Sequence, residues 1–283
     1  IFSSAFSGCS GLTAVKFPAG VEQIWSGAFS GCSGLTAVQF PESMKQIGDS
    51  AFSRCSGLTT VEFPEGVKQI GSQAFRECSS LTSLILPDSL TSLGEEAFMD
   101  CSAIRFVWVG DALTTIPRYA FWNCRALTAA SLPEGLTRIE QGAFRGAALK
   151  DVFYRGTEET WKHVSVHSEA SLGGAVIHYG TPEQISMELP SAVQLGTSLE
   201  QTPLRVTLSN GTQLTVTDGY SCAYDFTEAG EAEVVIRYLN QEFRTTVTVE
   251  IIDQLTTEWN GQKLEVNLIS TEAGLALAGV YDG

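Results

Sequence analysis

One spacing governs the first half of this chain. Ala-Phe recurs with its ring at Phe6, Phe29, Phe52, Phe75, Phe98, Phe121 and Phe144, always 23 residues apart. Cysteine keeps the same step at Cys9, Cys32, Cys55, Cys78, Cys101 and Cys124. A fixed period in the twenties is the signature of a solenoid, in which one small structural unit is stacked on copies of itself.

The unit is legible in residues 58–80, "LTTVEFPEGVKQIGSQAFRECSS". Leu58, Val61 and Phe63 end in apolar-polar-apolar alternation, which is strand chemistry. Proline follows the strand at Pro18, Pro41, Pro64, Pro87 and Pro133 and turns the chain, because it cannot donate to a ladder. Val67 and Ile70 form a second apolar pair, and Gly71 permits a bend. Ala74, Phe75 and Cys78 then have a spacing suited to one short helical or 3₁₀ turn facing inward. A single unit cannot bury these residues, but stacked units can. Each phenylalanine then lies beneath the next, and each buried ring stabilises by roughly 1.5–3 kcal/mol.

The pattern Leu-x-x-Val-x-Phe-Pro-x-x-Val-x-x-Ile-Gly-x-x-Ala-Phe-x-x-Cys resembles the BspA-like leucine-rich repeats of bacterial surface proteins. The resemblance covers residues 1–154 in about seven units. It implies a right-handed solenoid with a parallel strand ladder and short helical turns. It also implies an exported protein that binds other macromolecules. The chain opens mid-repeat, since Ile1–Phe6 aligns with Ile24–Phe29. A fragment is therefore expected, with further repeats and a targeting segment lying before it.

The letters of the repeat fail after Phe144: Ala147 stands where cysteine is due. The ladder is expected to stop there, with residues 155–180 as a cap. Thr157 can cap a short helix with Glu158 and Glu159 in its first turn. Trp161, Val164, Val166, Val176 and Ile177 can cover the last coil. From Ile185 the apolar period changes to two. "LRVTLSNGTQLTV" reads as a hairpin about Asn210-Gly211, and "EVVIRYLNQEFRTTVTVEI" as another. "YDFTEAGEAEVVIRY" resembles the group-three bacterial immunoglobulin-like domain, which implies a β-sandwich over 181–254. Residues 255–283 hold a further hairpin, an extension or the start of a third domain.

Net charge is −15, and it is uneven: residues 1–180 carry 13 basic and 17 acidic side chains, residues 181–283 carry 4 and 15. Clustered Lys and Arg, which nucleic acid and anionic membranes require, are missing. No run of 18 apolar residues encodes a membrane-spanning helix.

The cysteine ladder is expected to be a column of buried free thiols. Metal sites use close pairs, whereas these cysteines are 23 apart. Stacked coils about 4.8 Å apart also exceed the Cβ spacing of about 3.8 Å that a disulfide needs. Six free thiols in an exported protein suit a reducing, anaerobic habitat. His163 and His167 lack further ligands for zinc. Neither a Gly-x-Ser-x-Gly elbow, a cysteine with a plausible base, nor a phosphate loop is present. No catalytic, cofactor-binding or metal-binding residue is expected.

The strand positions pointing away from the core carry the functional signal. They read Lys16, Gln39, Glu62, Ile85, Trp108, Ser131 and Phe153, and two residues earlier Ala14, Ala37, Thr60, Ser83, Phe106, Ala129 and Asp151. Ile85, Phe106 and Trp108 are expected to form an exposed apolar patch bordered by Arg105, with Tyr119 and Trp122 at nearby turns. Such a cluster marks a ligand site, or a contact with the cap or a neighbouring domain. The expected function is non-enzymatic adhesion or protein binding at the cell surface, host extracellular proteins included among the partners. Glycan binding on Phe106 and Trp108, or a passive stalk, are the alternatives. Oligomeric state stays open.

Overall fold

The structure is a computed structural model. It describes residues 1–172, 174–194, 196–199, 202–217, 220–239 and 241–250, and the backbone of 253–259, 262–271 and 274–282. It divides into two compact units, one of residues 1–183 with 207–212 and one of 184–206 with 213–283.

The first unit is a parallel β-solenoid of about seven turns. Each coil contributes one strand to a first ladder: Ala14–Lys16, Ala37–Gln39, Thr60–Glu62, Ser83–Ile85, Phe106–Trp108, Ala129–Leu132, Asp151–Tyr154 and Val176–Tyr179 for coils one to eight. Register follows the sequence step, so that Ile85 pairs with Trp108 and Ser83 with Phe106. A second ladder runs through Gln23–Ile24, Gln46–Ile47, Gln69–Ile70 and Ser92–Leu93, then through Thr115–Ile116, Arg138–Ile139 and Ser165–Val166. Side chains repeat the step. Gln23 bonds Gln46 at 3.2 Å, and the Thr59 hydroxyl donates to the Thr36 carbonyl at 3.0 Å.

The core is the column the spacing implied. Phe29, Phe52, Phe75, Phe98, Phe121 and Phe144 are fully buried. Their rings stack nearly parallel, at 5.2 Å for Phe29–Phe52 and 5.3 Å for Phe75–Phe98. Phe17, Phe40 and Phe63 meet this column edge-on.

The cysteines do more than fill space. Each buried thiol from Cys32 to Cys124 donates to the carbonyl of the phenylalanine 26 residues earlier, at 3.1–3.2 Å. The same carbonyl accepts the backbone N–H of its own coil's cysteine, as Phe29 O does from Cys32 N at 3.1 Å. Both lone pairs of a buried carbonyl are thereby used. None of the seven cysteines is in a disulfide.

The expected helical turn at Ala-Phe does not form. Residues 25–32 make successive i→i+3 turns, with Gly27 and Gly31 at φ of 65° and 76°. The same two left-handed positions return in every coil, occupied by Gln73 and Glu77 or by Tyr119 and Asn123. The alternation turns every second N–H outward to the next coil: Gly27 to Asp49 O, Phe29 to Ala51 O and Gly31 to Ser53 O, at 2.7–2.8 Å. A helix would have spent those donors within the coil.

The expectation that the ladder stops after coil six is also corrected. Asp151–Tyr154 and Val176–Tyr179 extend the first ladder, and Ser165–Val166 extends the second. Between them lies the Thr157-capped helix, Glu158–Trp161, closed by a capping box with Thr160. Val164 joins the core, and Trp161 and Ile177 pack partly against it. Val166 and Val176 remain exposed.

One seam interrupts the stack. In coils two, three, four and six the N–H of Gly48, Gly71, Gly94 or Glu140 donates to the carbonyl of Ile24, Ile47, Ile70 or Ile116. Coil five has Pro117 at this position and cannot donate. The second ladder breaks here, and Phe98 and Phe121 stand 5.8 Å apart. The first ladder breaks one coil earlier, between Thr60–Glu62 and Ser83–Ile85, and nothing in those strands accounts for it. Hydrogen exchange should therefore be faster in the peptide spanning 112–117 than in its counterpart 66–71. Equal protection of the two would mean that the missing bond does not weaken the stack.

After the solenoid ladders, Pro182–Met187, Leu204–Leu208 and Gln213–Val216 form a three-stranded sheet. A second sheet is ordered Ala192–Gln194, Gln241–Glu250, Gly230–Tyr238, Ser221–Tyr224. Gly211, at φ 82°, turns the hairpin expected at Asn210-Gly211. The backbone of Asp253–Trp259, Gln262–Thr271 and Gly274–Asp282 forms an antiparallel sheet.

Candidate binding surfaces of the solenoid

The outward face of the first ladder has two halves. In coils one to four Ala14, Lys16, Ala37, Gln39, Thr60, Glu62 and Ile85 are exposed. Ile85 is 48% exposed and is the one large apolar residue among them. Arg105 is exposed as well. In coils five to seven the same face is covered. Phe106, Trp108, Ala129, Ser131 and Phe153 are all buried. The expectation of an exposed Ile85–Phe106–Trp108 patch is thus corrected: register brings the three together, but only Ile85 reaches solvent. A glycan cannot stack on Phe106 and Trp108 as they stand.

Arg155 is a main reason. Its guanidinium lies 4.1 Å from the centre of the Trp108 ring. It donates to Val109 O at 2.6 Å, to Ser131 Oγ at 3.0 Å and to Asp111 Oδ1 at 2.5 Å. One side chain from coil seven thus ties coils five and six. Burial lowers its pKa, against the opposing pull of Asp111, and the group remains a cation at neutral pH. The sequence did carry a signal for this residue: Arg155 stands where Pro18, Pro41, Pro64, Pro87 and Pro133 stand in other coils.

Arg155→Ala should cost about 3 kcal/mol, because it strands a buried carbonyl and the buried Ser131 hydroxyl. Asp111→Ala should cost less than about 1 kcal/mol, since its side chain is 69% exposed. Arg155→Lys should recover less than half of the loss, as an ammonium cannot stack on Trp108 and span both acceptors. Urea midpoints decide; equal losses for Asp111→Ala and Arg155→Ala would assign the effect to the ion pair.

Tyr119 and Trp122 lie at the turn edge of coil five, half-buried, with ring centres 5.2 Å apart and planes tilted by 41°. Tyr119 occupies the space where a Cβ on Gly142 would be, which ties glycine to that position in coil six. The Arg118 guanidinium is 5.5 Å from the Tyr119 ring centre and donates to Gln141 Oε1 at 2.8 Å. Gln141 in turn donates to Glu169 at 3.0 Å. Beside this row a groove of about 370 Å³ is lined by Arg118, Arg138, Ile139, Glu140, Gln141, Ser165 and His167. The sequence reading found the aromatic pair but not the groove, whose residues come from three coils and share no motif.

The histidines are engaged separately. His163 Nδ1 lies 2.9 Å from Glu159 O, and His167 Nδ1 accepts from Glu169 N at 3.1 Å. His178 pairs with Asp151 at 2.7 Å and stacks on Phe153. Among the described residues no three His, Cys, Asp or Glu side chains form a metal-ion site, and no helix is long and apolar enough to cross a membrane.

A family model of the BspA type leucine-rich repeat region, with 6 copies, matches residues 1–128 and 51–165. The chain belongs to the BspA-type leucine-rich repeat family. In this BspA-type solenoid the phenylalanine and cysteine columns repeat from coil to coil, whereas Arg155, Tyr119 and Trp122 depart from the chain's own repeat. Similar solved structures include a leucine-rich repeat protein from Bacteroides ovatus, 27% identical over 54% of this chain and 46% of that one, with a TM-score of 0.44. A T. pallidum leucine-rich repeat protein is 31% identical over 50% of this chain and 69% of that one, with a TM-score of 0.47. A leucine-rich cell surface protein from Faecalibacterium prausnitzii is 22% identical over 59% and 72%, with a TM-score of 0.29. The chain spans about half the length of the Bacteroides ovatus protein, 46% of it. No curated protein matches the chain. Leucine-rich repeats of this type are typically non-enzymatic binding scaffolds.

Proposed function

We propose that this chain is a non-enzymatic adhesion module of a bacterial cell surface, binding an extracellular protein on the open ladder face of its solenoid. The observation that carries this reading is the contrast within one face: covered in coils five to seven, open in coils one to four. The open half is flat, small and polar around Ile85, so a partner's backbone can approach it closely. An exposed apolar residue with a polar surround is a usual centre for a protein contact. The similar Faecalibacterium prausnitzii protein is a cell surface protein, in keeping with the proposed location. In this reading residues 1–154 are the repeat array and 155–180 close it. Residues 181–254 are an immunoglobulin-like spacer, for which the three- and four-stranded sheets speak, and 255–283 are an extension.

Biolayer interferometry against a panel of purified extracellular-matrix and plasma proteins tests the proposal. Binding should appear, and Ile85→Asp combined with Thr60→Arg should weaken it at least tenfold with an unchanged melting temperature. No binding across the panel, or binding indifferent to the double substitution, overturns it.

A further inference from the structure

We infer that the turn edge of coils five and six is a second site, which takes a neutral glycan: Tyr119 and Trp122 form its stacking surface, and the adjoining groove holds the sugar hydroxyls. The inference rests on the reading of the chain as a binding module, but not on the ladder face that takes a protein.

The two aromatic residues do not serve the core. The phenylalanine column runs through Phe98, Phe121 and Phe144 without them. At their positions the other coils have Ser4, Gly27, Ser50, Gln73, Glu96 and Gly142, or Ser7, Ser30, Ser53, Arg76, Met99 and Arg145. Tyr119 also sits at φ 56°, a left-handed conformation that disfavours a bulky side chain and that glycine occupies in coils one and six. Tyrosine there accepts a backbone cost that glycine would avoid, and its ring lies against Gly142, Trp122 and Arg118 rather than the core.

The polar side has matching chemistry. Arg118 and Arg138 supply planar fans of donors, Glu140 supplies an acceptor, and Gln141 supplies both. Arg118 and Gln141 bond each other at 2.8 Å along this edge. The groove's volume of about 370 Å³ is at the lower end of small-molecule sites. A hydroxyl donates and accepts at once, which suits a groove of mixed sign. An apolar ligand would leave these groups desolvated and unpaired. A polyanion would meet Glu140 and Glu169. The apolar C–H face of a pyranose, meanwhile, fits an aromatic surface placed directly beside such a groove.

The test is an array of neutral and acidic oligosaccharides probed with this chain, with titration calorimetry of any hit. Neutral oligosaccharides should bind. Trp122→Ser and Tyr119→Ser, each placing the residue that other coils carry, should weaken binding at least tenfold and leave the melting temperature within a few degrees of the parent. Arg118→Ala should do the same. No array binding, binding to acidic glycans alone, or binding that survives all three substitutions overturns the inference. Panel proteins bound through Trp122 would make this a protein site, which overturns the glycan and keeps the adhesion module. Ile85→Asp should leave glycan binding unchanged, so the two sites fail separately.

Discussion

Phe75→Ala should lower stability by about 3–5 kcal/mol, and Phe2→Ala should leave it almost unchanged. Phe75 is fully buried. Its ring lies 5.2 Å from Phe52 and 5.3 Å from Phe98, and Phe63 meets it edge-on at 5.6 Å. Removing it opens a cavity between the rings of Phe52 and Phe98. The neighbouring coils cannot collapse into that space, because their spacing is fixed by the inter-coil bonds of Phe52 N and Phe75 N to Ala74 O and Ala97 O. The loss should appear as a fall of about 6–20 °C in melting temperature, taking 2–4 °C per kcal/mol for a chain of this size. Phe2 is 85% exposed and has no such neighbours to lose. Phe6 stacks on Phe29 at 5.1 Å but is 42% exposed, and Phe6→Ala should fall between the two. Equal losses for Phe2→Ala and Phe75→Ala would show that the column is not where the stability lies.

The repeat made the core legible because a core column is chosen by side chains. Phe, Cys and Leu are confined to their positions by the space between coils, and that confinement is printed in the sequence. The turn at Ala-Phe was misread as helical because its conformation is a property of the backbone. Left-handed positions occupied by Gln73, Glu77, Glu96 and Asp100 show no letter that betrays them; only Gly8, Gly27, Gly31, Gly142 and Gly146 hint at the requirement. The same reasoning explains coils seven and eight. A parallel ladder needs N–H and C=O groups in register and little else. Asp151–Tyr154 and Val176–Tyr179 could therefore keep pairing after the repeat's side chains had changed.

For the candidate site, direction was legible and exposure was not. Alternation correctly placed Ile85, Phe106 and Trp108 on one face. Whether that face meets water depends on what crosses it. Arg155 arrives from 47 residues beyond Trp108, a contact that no local pattern encodes. Its substitution for the post-strand proline was the available clue. That change restores an N–H, used in the bond from Arg155 N to Leu132 O at 2.9 Å, and sends a long cation back along the ladder.

The cysteine column should make the solenoid labile to alkali. Burial is the first cause that raises the thiols of Cys55, Cys101 and Cys124, with Cys124 pushed up to about 12. An unfolded chain would instead release these protons near the ordinary value of 9.0. Above pH 9 the unfolded state thus binds fewer protons than the folded one, and stability falls as pH rises from there towards the folded values. Stability should therefore be lower at pH 10 than at pH 8, by on the order of 1 kcal/mol for a thiol held protonated in the folded state. Urea midpoints measured at pH 8 and pH 10 report the loss. Tyrosine and lysine titrate over the same range, so the control is the variant Cys55→Ala/Cys101→Ala/Cys124→Ala. It should start lower at pH 8, because it loses three thiol-to-carbonyl bonds and their volume, yet lose less on going to pH 10 than the parent does. At pH 8 a thiol reagent should modify exposed Cys9 in the native protein and reach the buried column only on unfolding. An unchanged pH slope in the triple variant, or native labelling of Cys55 as fast as that of Cys9, would mean that the thiols are not held protonated in the core.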